Sequence, residues 1–264
     1  MTRWTLTRTG SRRAIRRSYY NPTHISKPKM RKRLHIIALL LTMSGTAALA
    51  QVESPRSSLE IGLSGGMNLN RMELQPSIRQ GLHQGLNGGI HVRYTSEKYF
   101  SMICATQLEV NFSQRGMKED FDDGTANYYS RLTNYIEVPF FAHVSWGKEK
   151  RGFQFFLNLG PQFGFFLGES ETYHGDWKPE NRPSSIRPLY GKALENSFEY
   201  GIAGGLGLEY KSRIGNFFIE GRYFYGLSDI FHNSKTDEFG RSANTTITAR
   251  IGYSFTIFDK ETDK

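Results

Sequence analysis

The chain has 264 residues, 34 Lys or Arg against 25 Asp or Glu, a formal charge of +9, 14% aromatic residues, 27 glycines and one cysteine, Cys104. A single cysteine excludes an intramolecular disulfide. Residues 1–50 hold 11 of the basic residues and no acid, so residues 51–264 carry 23 against 25, a formal charge of −2, and the basic balance gives no argument for nucleic-acid binding.

The first 29 residues are basic and acid-free. Residues 30–50, "MRKRLHIIALLLTMSGTAALA", have a basic start, an apolar run from Ile36 to Met43 and the small-residue site Ala48-Leu49-Ala50. That is the layout of a secretory signal peptide, with cleavage expected after Ala50. Met30 is then the expected start, residues 1–29 a non-native upstream extension, and residues 51–58 a short periplasmic segment. The rival reading of residues 1–29 is a basic arm for nucleic acid or acidic lipid.

Eight alternating segments follow: Leu59–Leu69, Leu82–Tyr94, Phe100–Ser113, Tyr129–Trp146, Phe153–Leu167, Phe198–Tyr210, Phe217–Leu227 and Asn244–Phe258. In "LEIGLSGGMNL", Leu59, Ile61, Leu63, Met67 and Leu69 share one face of an extended chain, and Glu60, Gly62, Ser64, Gly66 and Asn68 share the other. Most segments are longer than the usual globular strand of about five or six residues. Short polar connectors ("TSEKY", "GKEKRG", "KSRIGN") alternate with long ones, near Asn70–Gly81, Gly116–Tyr128, Gly168–Ser197 and Ser228–Ala243. After residue 50 no run of ~18 apolar residues occurs, which excludes a membrane-spanning helix there. The pattern predicts an all-β, eight-stranded antiparallel up-and-down transmembrane β-barrel over 59–258, with short periplasmic turns, long outer loops and a tail at 259–264.

The polar face decides which way the barrel looks. It carries Asn87, His91 and Arg93; Gln107, Glu109 and Asn111; Arg131, Thr133, Tyr135, Glu137 and His143; Gln154, Asn158 and Gln162; Glu199 and Glu209; Glu220 and Arg222; Thr246, Thr248 and Arg250. Lysine is nearly absent and glycines are many, which suits a narrow lumen filled by side chains. A soluble lipocalin-like carrier needs an apolar cavity and a Lys- and Glu-rich outside. Buried charges need partners; Glu109 is expected near Arg93 or the partners of Glu137, and Glu220 near Arg222 and Arg250. Tyr94, Phe100, Phe112, Trp146, Phe153, Tyr200, Tyr210, Phe217 and Tyr225 suit aromatic girdles.

Few motifs carry chemistry. "GLSGG" (Gly62–Gly66) matches G-x-S-x-G, but a nucleophile elbow needs a sharp strand-to-helix turn, and here alternation runs through Ser64. His232, Ser234 and Glu238 are the residue types of a Ser-His-acid hydrolase, such as an outer-membrane enzyme that deacylates lipid A, and form the alternative functional reading. His91 and His143 lack metal-ligand spacing and are expected as satisfied interior histidines. "GGLGLEY" lacks the phosphate-binding spacing. Asn111-Phe112-Ser113 and Asn244-Thr245-Thr246 are glycosylation patterns within predicted strands. Pro139 should mark a bulge or a break in pairing. The loop Gly168–Ser197, with Tyr173, His174, Trp177 and Tyr190 among prolines, reads as a recognition surface or as a mobile loop.

"LEVNFSQRG" (Leu108–Gly116), "NYIEVPFFAHVSWG" (Asn134–Gly147), "GIAGGLGLEYK" (Gly201–Lys211) and "IEGRYFYGLSDI" (Ile219–Ile230) occur in order. Together they resemble the PorT-type outer-membrane β-barrel proteins of the Bacteroidota, over nearly the whole length after residue 50. The resemblance implies an eight-stranded outer-membrane barrel; the family's namesake belongs to the type IX secretion apparatus, and no catalytic residues carry over. The expectation is a monomeric, non-enzymatic outer-membrane barrel without cofactor or metal. Its partners are expected to be outer-membrane lipid and, through loop 168–197, other envelope or secretion proteins, with no nucleic acid.

Overall fold

The computed structural model describes residues 57–99, 101–121, 124–148, 151–234 and 237–260. The expected extension, the signal segment, residues 51–56, Phe100 and residues 261–264 lie outside the described residues.

Among the described residues nine strands form: β1 (Ser57–Gln75), β2 (Gln80–Gly81), β3 (His83–Tyr99), β4 (Met102–Asp120), β5 (Tyr128–Gly147), β6 (Gly152–His174), β7 (Phe198–Ser212), β8 (Gly215–Gly226) and β9 (Arg241–Lys260). Each long strand pairs antiparallel with its chain neighbour. β1 pairs β9 from Ser57↔Lys260 to Gln75↔Arg241, which closes a ring of eight. Closure leaves the long strands without an open edge. β2 only doubles the rim of β4, through Gln80↔Glu119 and Gly81↔Lys118.

The outer wall is apolar. Leu63 is 62% exposed and Ile251 67%, while Ser64 beside Leu63 is buried. Outward rings line up across the strands at the short-turn end: Phe153 meets Tyr210 (centroids 4.9 Å apart) and Phe217 meets Tyr253 (5.0 Å). At the other end Phe165 meets Phe198 (5.4 Å), next to Tyr200. On β7 the span from Tyr200 to Tyr210 is about 34 Å along the strand at ~3.4 Å per residue, and a tilt of ~40° makes it about 26 Å in height, the thickness of an apolar membrane band.

The eight predicted strands all form, but several run further into the predicted long loops than expected. β1 continues to Gln75, β4 to Asp120 and β6 to His174. The physical reason is an inversion of the alternation. Beyond Asn70 the outward residues are Arg71 and Glu73, and the inward ones are Met72 and Leu74, which are buried. A polar outside with an apolar inside is what a strand needs once it stands in water.

Pro139 interrupts pairing as expected. The β4–β5 ladder lapses between Leu108↔Phe140 and Asn111↔Glu137, and the β5–β6 ladder between Pro139↔Gln162 and Ala142↔Leu159. The register is the same on both sides of each gap, so this is a break without a bulge. Proline has no N–H to give the ladder.

Candidate functional site

The polar residues assigned to the inner face are inside. Gln107, Glu109, Asn111, Thr133, Gln154, Asn158 and Glu209 are all buried. They sort into tiers along the barrel axis.

At the short-turn end Arg93 Nη1 donates to Glu60 (3.2 Å) and Glu209 (2.6 Å), and Lys211 Nζ donates to Glu60 (3.2 Å). In the middle, Glu109 accepts two parallel bonds from Arg222 (2.8 and 2.9 Å) and two from Arg250 (2.7 and 2.9 Å). Glu220 accepts from Arg250 Nε (2.7 Å) and Asn158 (3.0 Å). Each of these two tiers pairs two cations with two carboxylates, the condition for burying charge. Next, Arg115 bonds Glu137 and Glu199, both at 2.7 Å, and lies 4.0 Å above the Phe224 ring.

The expected pairing of Glu220 with Arg222 and Arg250 is present. The expected partner of Glu109 is corrected. Arg93 reaches instead to Glu60 and Glu209, and Glu109 is taken by arginines from β8 and β9. Strand adjacency does not limit a lumen this narrow, because long side chains cross it.

Four buried phenylalanines, Phe141, Phe156, Phe218 and Phe224, also point inward. Their parity with Glu137 and His143 on β5, Gln154 and Asn158 on β6, and Glu220 and Arg222 on β8 is the signal that identifies them. Inward glycines make room: a Cβ on Gly207 would meet Phe156 Cζ at 2.4 Å, and one on Gly252 would meet Phe218 Cζ at 2.3 Å.

The outer end is closed by an apolar core. Met72, Leu74, Met117, Phe121, Tyr129, Leu189, Ile230, Phe231 and Phe239 pack together, with Trp177 and Tyr190 against them. Trp177 and Tyr190 therefore lie against folded structure. Two 3₁₀ turns, Pro179–Asn181 and Arg187–Leu189, shape this loop. Arg131, fully buried, latches it: Nη2 donates to the carbonyls of Leu189 (3.1 Å) and Lys192 (2.7 Å), while Nη1 bonds Glu169 (2.9 Å) and Nη2 bonds Glu171. Arg182 bonds Glu119 at 2.5 Å, and Tyr190 bonds it at 2.8 Å.

Of the trio weighed for catalysis, His232 and Ser234 line one recess with Glu195 and Asp237, and Glu238 is not in its lining. His232 Nδ1 lies 3.4 Å from Glu195, and Glu238 pairs with Lys192 at 3.3 Å. The Ser234 backbone N–H donates to Asp237 (2.7 Å). The acids facing His232 and Ser234 are thus Glu195 and Asp237, and Glu238 faces a lysine. Ser64 lies inside the barrel, accepting a bond from Arg250 (3.2 Å). His143 shares a hydrogen bond with Asn158 (2.7 Å). His91 corrects the expectation of a satisfied histidine: it is buried edge-on to Phe218, and neither ring nitrogen has a hydrogen-bond partner among the described residues. Asn111 and Asn244 both point inward, out of reach of a glycosylating enzyme.

A family model described as Outer membrane protein beta-barrel domain matches residues 49–232. No curated protein matches the chain. Among solved structures, the chain is similar to Ail, the attachment invasion locus protein of Yersinia pestis, at 16% identity and a TM-score of 0.34, covering 76% of this chain and 99% of that one. It is similar to Neisserial surface protein A at 11% identity and a TM-score of 0.36, covering 75% and 99%. The outer membrane protein OprG from Pseudomonas aeruginosa gives 14% identity and a TM-score of 0.35, covering 76% and 96%. The family model spans more than two thirds of the chain, from just before the first strand to the loop after β8, and the chain belongs to the outer membrane protein beta-barrel domain family.

Proposed function

We propose that the protein is a non-enzymatic structural or interaction protein of the outer membrane, which works through its outer-loop surface and has no conduit. The observation that carries this reading is the latch of Arg131 on the carbonyls of Leu189 and Lys192, over an apolar core at the barrel mouth. A solute path would have to break that core and then three tiers of buried ion pairs. The latch holds the loop as one shape, and a fixed shape is what specific recognition requires. Exposed residues on it include Asn181, Ser184, Ser185 and Arg187. These are the residues a partner in the envelope would meet.

A photo-crosslinking residue at Ser184 in living cells tests the reading. A discrete cross-linked product that disappears in an Arg131→Met background supports it. No discrete product, or one indifferent to Arg131→Met, refutes it. A place in protein secretion, suggested by the resemblance to PorT-type barrels, is the finer version. A deletion strain that still exports its full set of secreted proteins ends that version.

The hydrolase reading has less support, because His232 and Glu238 face other partners. Replacing Ser234 with Ala should leave the acylation of lipid A unchanged, and altered acylation would restore it. The lipocalin-like carrier would require an apolar interior, and the lumen is lined by paired charges.

A further inference from the structure

The outward rows on β1, β9 and β8 have an order that the rest of the wall does not need. From the outer rim downward they read Arg71–Thr245–Tyr225, Leu69–Ile247–Tyr223, Met67–Ala249–Gly221 and Gly65–Ile251–Ile219. The top row is where the outward face changes from apolar to polar, the level of lipid headgroups.

A recess of about 640 Å³ opens there, with Arg71, Thr245, Tyr223, Tyr225, Gln80 and Arg241 in its lining. Arg71 has no carboxylate partner among the described residues. Glu73, the nearest acid along the strand on that face, is taken by Arg241 (3.5 Å) and the Tyr225 hydroxyl (3.2 Å). The Thr245 hydroxyl, next to Arg71 in the row, is buried and lacks a hydrogen-bond partner. Arg241 also faces Asp229 (3.9 Å) and donates to the Gly226 carbonyl, so Arg71 is the cation of the recess left for a ligand, and a guanidinium favours a phosphate.

Directly below on the same strands lies a trough of about 860 Å³, its lining including Gly65, Gly221 and Ala249 with Met67, Leu206 and Ile251. Gly221 has open space where a side chain would stand. A cationic recess above an apolar trough on one line has the shape of a lipid with its headgroup up.

We propose that this face of β1, β9 and β8 is a specific binding site for a lipid with a phosphate-monoester headgroup, the phosphate on Arg71 beside the Thr245 hydroxyl and an acyl chain in the Gly65–Gly221 trough. The proposal rests on the placement of the barrel in the outer membrane.

Native mass spectrometry of the folded full-length barrel in detergent tests it, with dipalmitoyl phosphatidic acid, dipalmitoylglycerol and inorganic phosphate as probes. The phosphatidic-acid adduct should survive and the neutral lipid should not. Arg71→Gln should lower the adduct by about tenfold, the effect of one lost charge-assisted contact. Gly221→Leu, which fills the trough, should lower it too, and Arg213→Gln at the short-turn end should leave it unchanged. Equal adducts for Arg71→Gln and wild type would overturn the proposal. So would displacement by equimolar inorganic phosphate, which would mark a simple anion site, or a dimer that Gly221→Leu splits, which would make a second copy the occupant. Failure of the wild type to insert into liposomes would instead strike at the membrane placement itself.

Discussion

Arg222 and Glu109 join across the full width of the barrel: β8 and β4 stand opposite each other in the ring of eight, and Nη2 lies 2.8 Å from Oε1. Arg250 doubles the clasp from β9 at 2.7 Å. Opposite walls are thereby tied through one carboxylate.

Replacing Glu109 with Gln should be among the most damaging single changes in the lumen. It leaves Arg222 and Arg250 sharing only Glu220, and removing one partner of a buried pair costs about 3–5 kcal/mol. The urea midpoint of the gel-mobility transition reads this directly. A midpoint within error of wild type would show that the clasp adds nothing to stability.

The lipid-facing wall predicts a depth-dependent cost. Leu206→Arg places a cation near the middle of the Tyr200–Tyr210 apolar band and should destabilise the barrel by about 2–4 kcal/mol in lipid. In a soluble barrel an exposed Leu→Arg change would stay within ~0.5 kcal/mol. Unfolding of the variant in liposomes separates the two.

The outer cap should open without the barrel. Phe231 is buried in the core that closes the mouth, and Phe→Ala in such a place costs about 3–5 kcal/mol. Phe231→Ala should speed proteolysis within residues 175–197 while the heat-modifiable migration of the barrel persists. Loss of both together would make cap and barrel one cooperative unit.

One contact between the outer loops should respond to acid. Glu195 accepts the His232 backbone N–H (2.6 Å) and pairs with Lys192 (3.1 Å), and these hold its carboxyl below the ordinary range. A depressed value means the contact contributes fully above the unfolded glutamate pKa of about 4.3 and is lost as pH falls through the lower folded value. With Trp146 replaced by Phe, Trp177 emission in the form beginning at Gln51 should stay constant from about pH 8 to 5 and shift below that. A transition at neutral pH would contradict the assignment.

The wall and the strand order were legible from alternation, because a period of two in "LEIGLSGGMNL" has only one extended reading. The inward phenylalanines were missed, because their apolar character suggests the lipid face, although Phe156 shares the parity of Gln154 and Asn158. The strand extensions were not visible as strands, because Arg71 and Glu73 invert the alternation that identifies the membrane band. Glu109's partners were beyond reach. Sequence shows which strands are neighbours, whereas the pairs with Arg222 and Arg250 depend on which strands stand across the lumen after the ring closes. The loop latch was hidden for a similar reason, since Arg131 acts on backbone carbonyls some sixty residues away, and any residue type could supply those.

The central claim is a membrane barrel with a filled lumen and a closed outer mouth. Conductance across a planar bilayer, recorded with the folded, heat-modifiable wild type, tests it most directly. A flat baseline is expected at every moderate voltage, because the Arg131 latch and the Glu109 clasp both block the axis. A steady, voltage-independent conductance that scales with inserted protein would contradict it and make the lumen a path.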